Sequence, residues 1–297
     1  MTEKTSVFSK ATFFLSLVLT AERKNMNSFM SWVGGKKNLR DEVLARFPPY
    51  YERYIEVFGG AGWVLFHKPP GMDFEVYNDF NSNLANLYRC VRDKPNRLKY
   101  KLRYVLNSRE DFDLTSSLHK RGIFEKLCDA DRASKFYQLI RYSYASGLDS
   151  FGSQPHSMWS DFPMIDLAAR RLQKVVIENK DFEKLIRQYD RPVSFFYCDP
   201  PYFATENYYK DVGFTAKDHI RLRDALLDIK GRFLVSYNDC PEIREIWHKP
   251  NIHIEEISRL NNLAQRYDAG CQYGELLISN YDTSERAKAI KQLSLFD

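Results

Sequence analysis

Four consecutive residues, Asp199-Pro200-Pro201-Tyr202, put an acid, two stiffening prolines and an aromatic ring into one turn. That set suits attack by a weakly nucleophilic planar amine. The lone pair of an aromatic amine is delocalised into its ring. Two acceptors that take both N–H hydrogens favour a pyramidal nitrogen and aim its lone pair outward. The Asp199 carboxylate and the Pro200 carbonyl can be that pair, and the Tyr202 ring can stack on the ring that bears the amine. The same four residues would also suit a plain proline-stiffened strand end with an N-capping Asp.

The turn needs elements to hold it. Ser194-Phe195-Phe196-Tyr197-Cys198, just before it, is a short apolar, aromatic-rich run that reads as a buried parallel strand. Proline cannot continue a ladder, and Pro201 keeps Pro200 out of the helical region, so the strand stops there. In open α/β sheets, ligands bind beyond the carboxyl ends of strands. Tyr54 to Phe58 reads as another strand, followed by Gly59-Gly60-Ala61-Gly62 and a helix from Trp63. Strand, glycine loop and helix make a dinucleotide-type cradle. About twenty residues after its start, the strand Phe74 to Tyr77 ends in Asn78-Asp79, which places Asp79 to hold ribose hydroxyls. The spacing points to a nucleoside cofactor, and the lack of a Walker lysine motif disfavours ATP. Farther upstream, Gly34-Gly35 allows close backbone approach to a ligand, with Trp32 as an apolar plate and Lys36 as a cation beside it.

A chain of 297 residues allows one large α/β domain, or a domain with an insertion. The net charge of +5 is compatible with a polyanionic partner. Aromatic residues make up 15%, enough to fill a core and still stack on unpaired bases. The five cysteines are scattered and odd in number, and the histidines do not cluster. Neither a disulfide framework nor a metal site is indicated, and a reducing cytoplasm fits. The apolar run Ala11 to Ala21 is too short to span a bilayer. Residues 1–25 read as an upstream extension outside the fold.

Strands resume at Lys174 to Glu178, which leads to Asp181-Phe182, and continue at Phe233 to Tyr237, Ile252 to Ile257 and Glu275 to Tyr281. Between the second strand and this resumption the α/β alternation breaks. The break holds helical, charged sequence at Lys94 to Val105 and Ile123 to Tyr144, with Lys94, Arg97, Lys99, Lys101 and Arg103 as a basic stretch. The loop Gly147 to Pro163 follows, rich in Gly, Ser and Pro and carrying Phe151, His156, Trp159 and Phe162. This insertion reads as a second lobe.

Trp32-Val33-Gly34-Gly35-Lys36, Glu56-Val57-Phe58-Gly59-Gly60-Ala61-Gly62, Asn78-Asp79-Phe80-Asn81 and Asp199-Pro200-Pro201-Tyr202 occur in one order. In that order they resemble the Dam-like family of DNA adenine-N6 methyltransferases, across roughly Met26 to Tyr281. The resemblance implies an α/β fold: a Rossmann-like, seven-stranded methyltransferase sheet with an inserted, mostly helical DNA-recognition lobe. It places the catalytic domain at 26–83 and 171–282, the recognition insertion at 84–170 and a tail at 283–297. It implies S-adenosylmethionine as cofactor, bordered by Trp32 and Lys36. Phe58, Gly60 and Gly62 would line its methionine, Asp79 its ribose, and Phe182 its adenine, with Asp199 also in contact with the cofactor. It implies transfer to the N6 of a flipped adenine, with Asp199, Pro200 and Tyr202 as the catalytic set and no metal. Arg141, Tyr142, Ser150 and Trp159 would meet double-stranded DNA. Val57 stands where many members have proline. The alternatives from the residues alone are a methyltransferase acting on RNA or on a protein amide, and a silent DNA-binding relative. A monomer is expected.

The tail ends Gln292-Leu293-Ser294-Leu295-Phe296. These residues either dock back on the protein's own surface or form a linear motif for a partner's pocket. They resemble the pentapeptide by which bacterial replication and repair proteins bind the DNA sliding clamp, with Gln292, Leu293, Leu295 and Phe296 as the contacts.

Overall fold

The computed structural model of the protein describes residues 26–32, 34–204, 213–260 and 272–288. The extension 1–25, Val33 and the tail peptide at 292–296 lie outside the described residues. Seven strands form one sheet: β1 (Arg53–Glu56), β2 (Phe74–Asn78), β3 (Val175–Glu178), β4 (Ser194–Cys198), β5 (Arg232–Asn238), β6 (His253–Leu260) and β7 (Gln272–Ser279). Their order is β3-β2-β1-β4-β5-β7-β6, and β7 alone runs against its neighbours. The last two strands reach into the stretch that the sequence suggested was loop from Ser258 to Gly274, because their antiparallel ladder continues to the pair Leu260 and Gln272.

The chain steps outward from β1 to β2 and β3, then returns to place β4 on the other side of β1. A crevice therefore opens at the carboxyl ends of β1 and β4, the switch point where such sheets bind ligands. The turn at Asp199 falls in that crevice.

Side chains alternate across the sheet. Tyr54, Tyr77, Phe195, Tyr197, Leu234 and Leu277 pack on one face. Ile55, Val76, Phe196, Val235, Leu276 and Ile278 pack on the other. Burying each such side chain stabilises by about 1.5–3 kcal/mol. The second face is covered by α8 (Phe182–Tyr189), α9 (Ala216–Leu227) and α10 (Pro241–Trp247), through Leu185, Leu222 and Trp247 among others.

The first face meets α1 (Arg40–Ala45), α2 (Trp63–His67) and α3 (Ser82–Asp93), and then the inserted helices α4 (Pro95–Leu102), α5 (Arg109–Lys120), α6 (Asp129–Tyr142) and α7 (Phe162–Leu172). Leu98, Phe112, Phe136 and Ile165 of the insertion belong to the same buried cluster as Tyr77 and Phe195 of the sheet. The lobe and this face share one core.

Local chemistry sets the helix starts. Asn81 accepts from the backbone N–H groups of Asn83 and Leu84 and caps α3. Pro95 opens α4, where its missing N–H costs nothing. Ser108 caps α5, an element the sequence left without bounds. The single helix expected over Ile123 to Tyr144 is instead a 3₁₀ turn at Phe124–Lys126 followed by α6, with extended backbone at Leu127 and Cys128 between them. The basic stretch is largely neutralised inside the lobe: Lys94 pairs with Asp129, Lys99 with Asp166 and Lys101 with Asp131. Among the described residues no helix is long and apolar enough to cross a membrane.

Candidate active site

A cavity of about 1060 Å³ runs along the carboxyl lip of the sheet and beneath the lobe. Its floor is the glycine loop after β1. Gly60 and Gly62 have φ of 50° and 64°, a region that favours residues without a Cβ. A Cβ on Gly59 would fall 2.1 Å from the Tyr77 ring. The loop is held from behind by the Tyr77 and Tyr88 hydroxyls, which donate to the Gly60 carbonyl at 2.7 and 3.1 Å. Gly62 caps α2 and does not line the cavity.

Asp79 stands at the end of β2, and its carboxylate accepts from the Gly60 N–H at 2.9 Å and the Asn81 N–H at 2.8 Å. Burial pushes its carboxyl up to about 6, against the pull of those two N–H groups. Asn78 beside it ties three strand ends together, donating to the carbonyls of Val57 and Lys180 and accepting from the Lys180 N–H.

One end of the cavity is aromatic. Phe58, Phe182 and Phe214 meet at centroid distances of 5.6 to 5.9 Å. The Arg221 guanidinium lies 4.7 Å from the Phe182 ring centroid and is held by Asp181, Glu183 and Asp218. Phe214 escaped the sequence reading. Trp32 faces the glycine loop, near enough that a Cβ on Gly60 would come within 3.1 Å of its indole.

The other wall holds the turn after β4. Lys36 Nζ donates to Asp199 Oδ1 at 2.5 Å, and Ser236 Oγ donates to the same oxygen at 2.9 Å. Burial raises the Asp199 carboxyl, Lys36 pulls it back, and the nearby Glu275 charge pushes it up again, so that the outcome is above the ordinary value. Pro200 is buried, while Asp199 and Pro201 line the cavity. Tyr202 sits just behind the wall. Its hydroxyl donates to Glu275 Oε2 at 2.7 Å, and Lys36 Nζ lies 4.4 Å from its ring centroid. The next residue is fixed by Asn238, whose side chain accepts from the Phe203 N–H at 3.1 Å and donates to the Phe203 carbonyl at 3.3 Å.

Ser236, Asn238 and Glu275 were missed as site residues. Ser236 and Glu275 are fully buried, Ser236 within the apolar run Phe233 to Tyr237 and Glu275 at the head of the apolar run Leu276 to Ile278. A lone polar residue in such a run was the available signal, since burying it is costly unless something holds it.

The lobe contributes through its loop. Ser150 lines the cavity, with Tyr144 and Leu148. Six described residues other than glycine have positive φ, and four of these, Ala145, Ser146, Leu148 and Ser153, lie in or beside this loop. Such conformations persist only where the surroundings hold them. Here the Ser31 and Ser146 hydroxyls meet at 2.7 Å, and the Tyr144 N–H donates to the Ser150 carbonyl at 2.7 Å. Arg141 and Trp159 do not line the cavity. Arg141 is engaged with His156 and Asp161, while Trp159 is exposed and has the Arg103 guanidinium 5.1 Å from its ring centroid. Tyr142 is 4% exposed and packs in the shared core, its ring edge-on to His156. Among the described residues no cluster of His, Cys, Asp and Glu could hold a metal ion.

The family model for D12 class N6 adenine-specific DNA methyltransferase matches residues 32–262. The type II methyltransferase M1.LlaDCHI of Lactococcus lactis subsp. cremoris is 30% identical, over 89% of this chain and 99% of that protein. The DNA adenine methylase of Escherichia coli is 28% identical, over 80% of this chain and 89% of its own. That of Haemophilus influenzae is 27% identical, over 74% and 82%. With the matched region spanning both the glycine loop and the Asp199 turn, the chain belongs to the D12 class N6 adenine-specific DNA methyltransferases, and its activity is the methylation of adenine in DNA.

Proposed function

We propose that the methyl donor is S-adenosylmethionine, that it binds along the cavity, and that the target adenine is flipped out of duplex DNA to reach Asp199. The observation that carries this reading is the division of labour in the cavity. The aromatic end, the Asp79 carboxylate and the glycine loop suit an adenine, a ribose and an extended chain in sequence, and the Asp199 turn lies across from them. The fit is good at each point. Phe182 and Phe214 offer faces to a purine, and Asp79 offers acceptor capacity to ribose hydroxyls. Phe58 sits with those rings, so it serves the adenine end rather than the methionine end. When bound, the donor supplies an electrophilic methyl group on a cationic sulfur.

The chain's own residues do the rest. Asp199 and the Pro200 carbonyl accept the two amine hydrogens and aim the nitrogen lone pair at the methyl. Lys36 and Ser236 hold Asp199 Oδ1, so the carboxylate keeps one orientation. Tyr202 stacks on the extruded base and offsets part of its unpairing cost. Positioning and fixed charge supply most of the acceleration. Residues 84–170 form the recognition lobe, with Ser150, Arg141 and Trp159 on the side that meets DNA. The tail peptide, with Gln292, Leu293, Leu295 and Phe296, tethers the enzyme to the sliding clamp; its sequence alone supports this.

The test uses a duplex oligonucleotide, methyl-labelled S-adenosylmethionine and nucleoside analysis of the product. Label in N6-methyladenine is expected. With 2-aminopurine at the target position, fluorescence should rise on binding. Label transfer without any fluorescence rise would overturn the flipping step, and failure of unlabelled S-adenosylmethionine to bind would overturn the donor.

A further inference from the structure

The assigned machinery leaves a buried carboxyl group beside the catalytic turn, Glu275, without a role. Glu275 is fully buried at the start of β7. Strand β7 is the reversed strand, so its first residues enter the sheet at the lip where the parallel strands end, and Glu275 pairs in register with Asn238. An apolar residue would serve the sheet better at that place, since a buried carboxylate is costly to keep. One contact there is with the catalytic turn: Glu275 accepts the Tyr202 hydroxyl at 2.7 Å.

We infer that Glu275 is a positioning residue for the methyl-transfer reaction, acting through the Tyr202 ring. A tyrosine at a strand end can turn about two side-chain torsions. Fixing its hydroxyl to a carboxylate carried by the sheet leaves one ring plane. One consequence is already visible: the ring presents its face to the Lys36 ammonium, 4.4 Å from the centroid, and that same ammonium holds Asp199. The acid that aims the amine and the ring that stacks on the base are thus set against each other through one cation. Donation to a carboxylate also enriches the phenol in electron density, which strengthens the ring's attraction for positive charge.

This inference rests on the reading of Tyr202 as the stacking residue, and the variants separate the two. Single-turnover methylation is measured for E275L, E275Q, Y202F, Y202A and the double variant Y202F/E275L, with thermal melts alongside. E275L and Y202F should each slow transfer by about ten- to a hundredfold, the rate equivalent of one charge-assisted hydrogen bond. The KM for S-adenosylmethionine should stay unchanged. E275Q keeps an acceptor oxygen and should stay within about threefold of the parent, a loss smaller than that bond is worth. The double variant should be no slower than the slower single one. Full multiplication of the two losses would overturn the inference, because it would give Glu275 a role independent of the hydroxyl. Full activity of Y202F would overturn it even if E275L fails to fold. Full activity of Y202A would instead remove the stacking role of Tyr202.

Discussion

Lys36 and Asp199 form a buried ion pair, Nζ to Oδ1, at 2.5 Å, and they come from positions 163 residues apart. The pair joins the first glycine turn of the chain to the turn after β4. Burial pushes the Asp199 carboxyl up, and the Lys36 ammonium pulls it back down. Asp199→Ala would leave the Lys36 ammonium buried without that partner and the amine without its acceptor. Methyl transfer should fall by at least about a hundredfold. Duplex binding by gel shift should stay close to that of the parent, because the lobe is untouched. Near-parental turnover would refute the assignment.

Ser236→Ala removes the other hold on the same oxygen and changes little volume. The loss of one hydrogen bond to a charged group predicts a fall in kcat of about tenfold or more. The KM for DNA should not move. A matched fall in DNA affinity would place Ser236 in folding rather than in aiming Asp199.

Asp79 should make cofactor binding pH-dependent. Its carboxyl is pushed up to about 6, so it is ionised above that pH and takes a proton below it. Ribose hydroxyls donate best to the ionised form. Calorimetry should therefore show S-adenosylmethionine affinity weakening as pH falls through about 6 towards 5. Asp79→Asn should bind more weakly at pH 8 and lose most of this dependence. A flat profile in the parent protein would count against the ribose contact.

Glu56 makes a separate prediction about stability. It is 2% exposed, and burial pushes its carboxyl up to about 8, partly offset by the Tyr54 hydroxyl and the Leu65 N–H. An unfolded glutamate titrates near 4.3. Between that pH and about 8 the unfolded chain gives up this proton while the folded chain keeps it. Stability from this group is full below the window, declines across it, and levels off above about 8, a total on the order of a few kcal/mol. Glu56→Gln cannot ionise. Its melting temperature relative to the parent should rise with pH, most clearly from pH 6 to 8. Parallel curves for the two proteins would show that Glu56 is already ionised in the fold.

The tail peptide is testable apart from catalysis. A synthetic peptide spanning 291–297 should bind purified sliding clamp. Leu295→Ala with Phe296→Ala should abolish clamp retention of the whole enzyme and leave methylation of naked DNA unchanged. Equal retention of both proteins on a clamp column would dispose of the tether.

Much of the site was legible because its parts are local. A glycine loop after a strand, an acid ending the next strand and a proline turn after a buried one each announce themselves within a few residues. The sheet was legible for the same reason, its strands being short apolar runs. What escaped was built from distant partners. Ser236 and Glu275 matter because β5 and β7 bring them behind Asp199 and Tyr202, and strand order is not written in either segment. Phe214 joins Phe58 and Phe182 only after folding.

The core that Phe112, Phe136 and Ile165 share with Tyr77 and Phe195 limits how this enzyme can change its target. A module with its own interior can be exchanged whole between relatives. Here such an exchange would cut through packed side chains on both sides of the seam, where mismatched volumes cost stability. The route left open is the rim: within the segment from Ala145 to Ser153, Leu148 and Phe151 pack on the core and Arg109 reaches Ser153, while Ala145, Gly147 and Ser150 are exposed and can vary while the interior stays as it is. New sequence preferences in this lineage should therefore arise by loop drift on a conserved chassis, and grafts for engineering should begin and end within that segment.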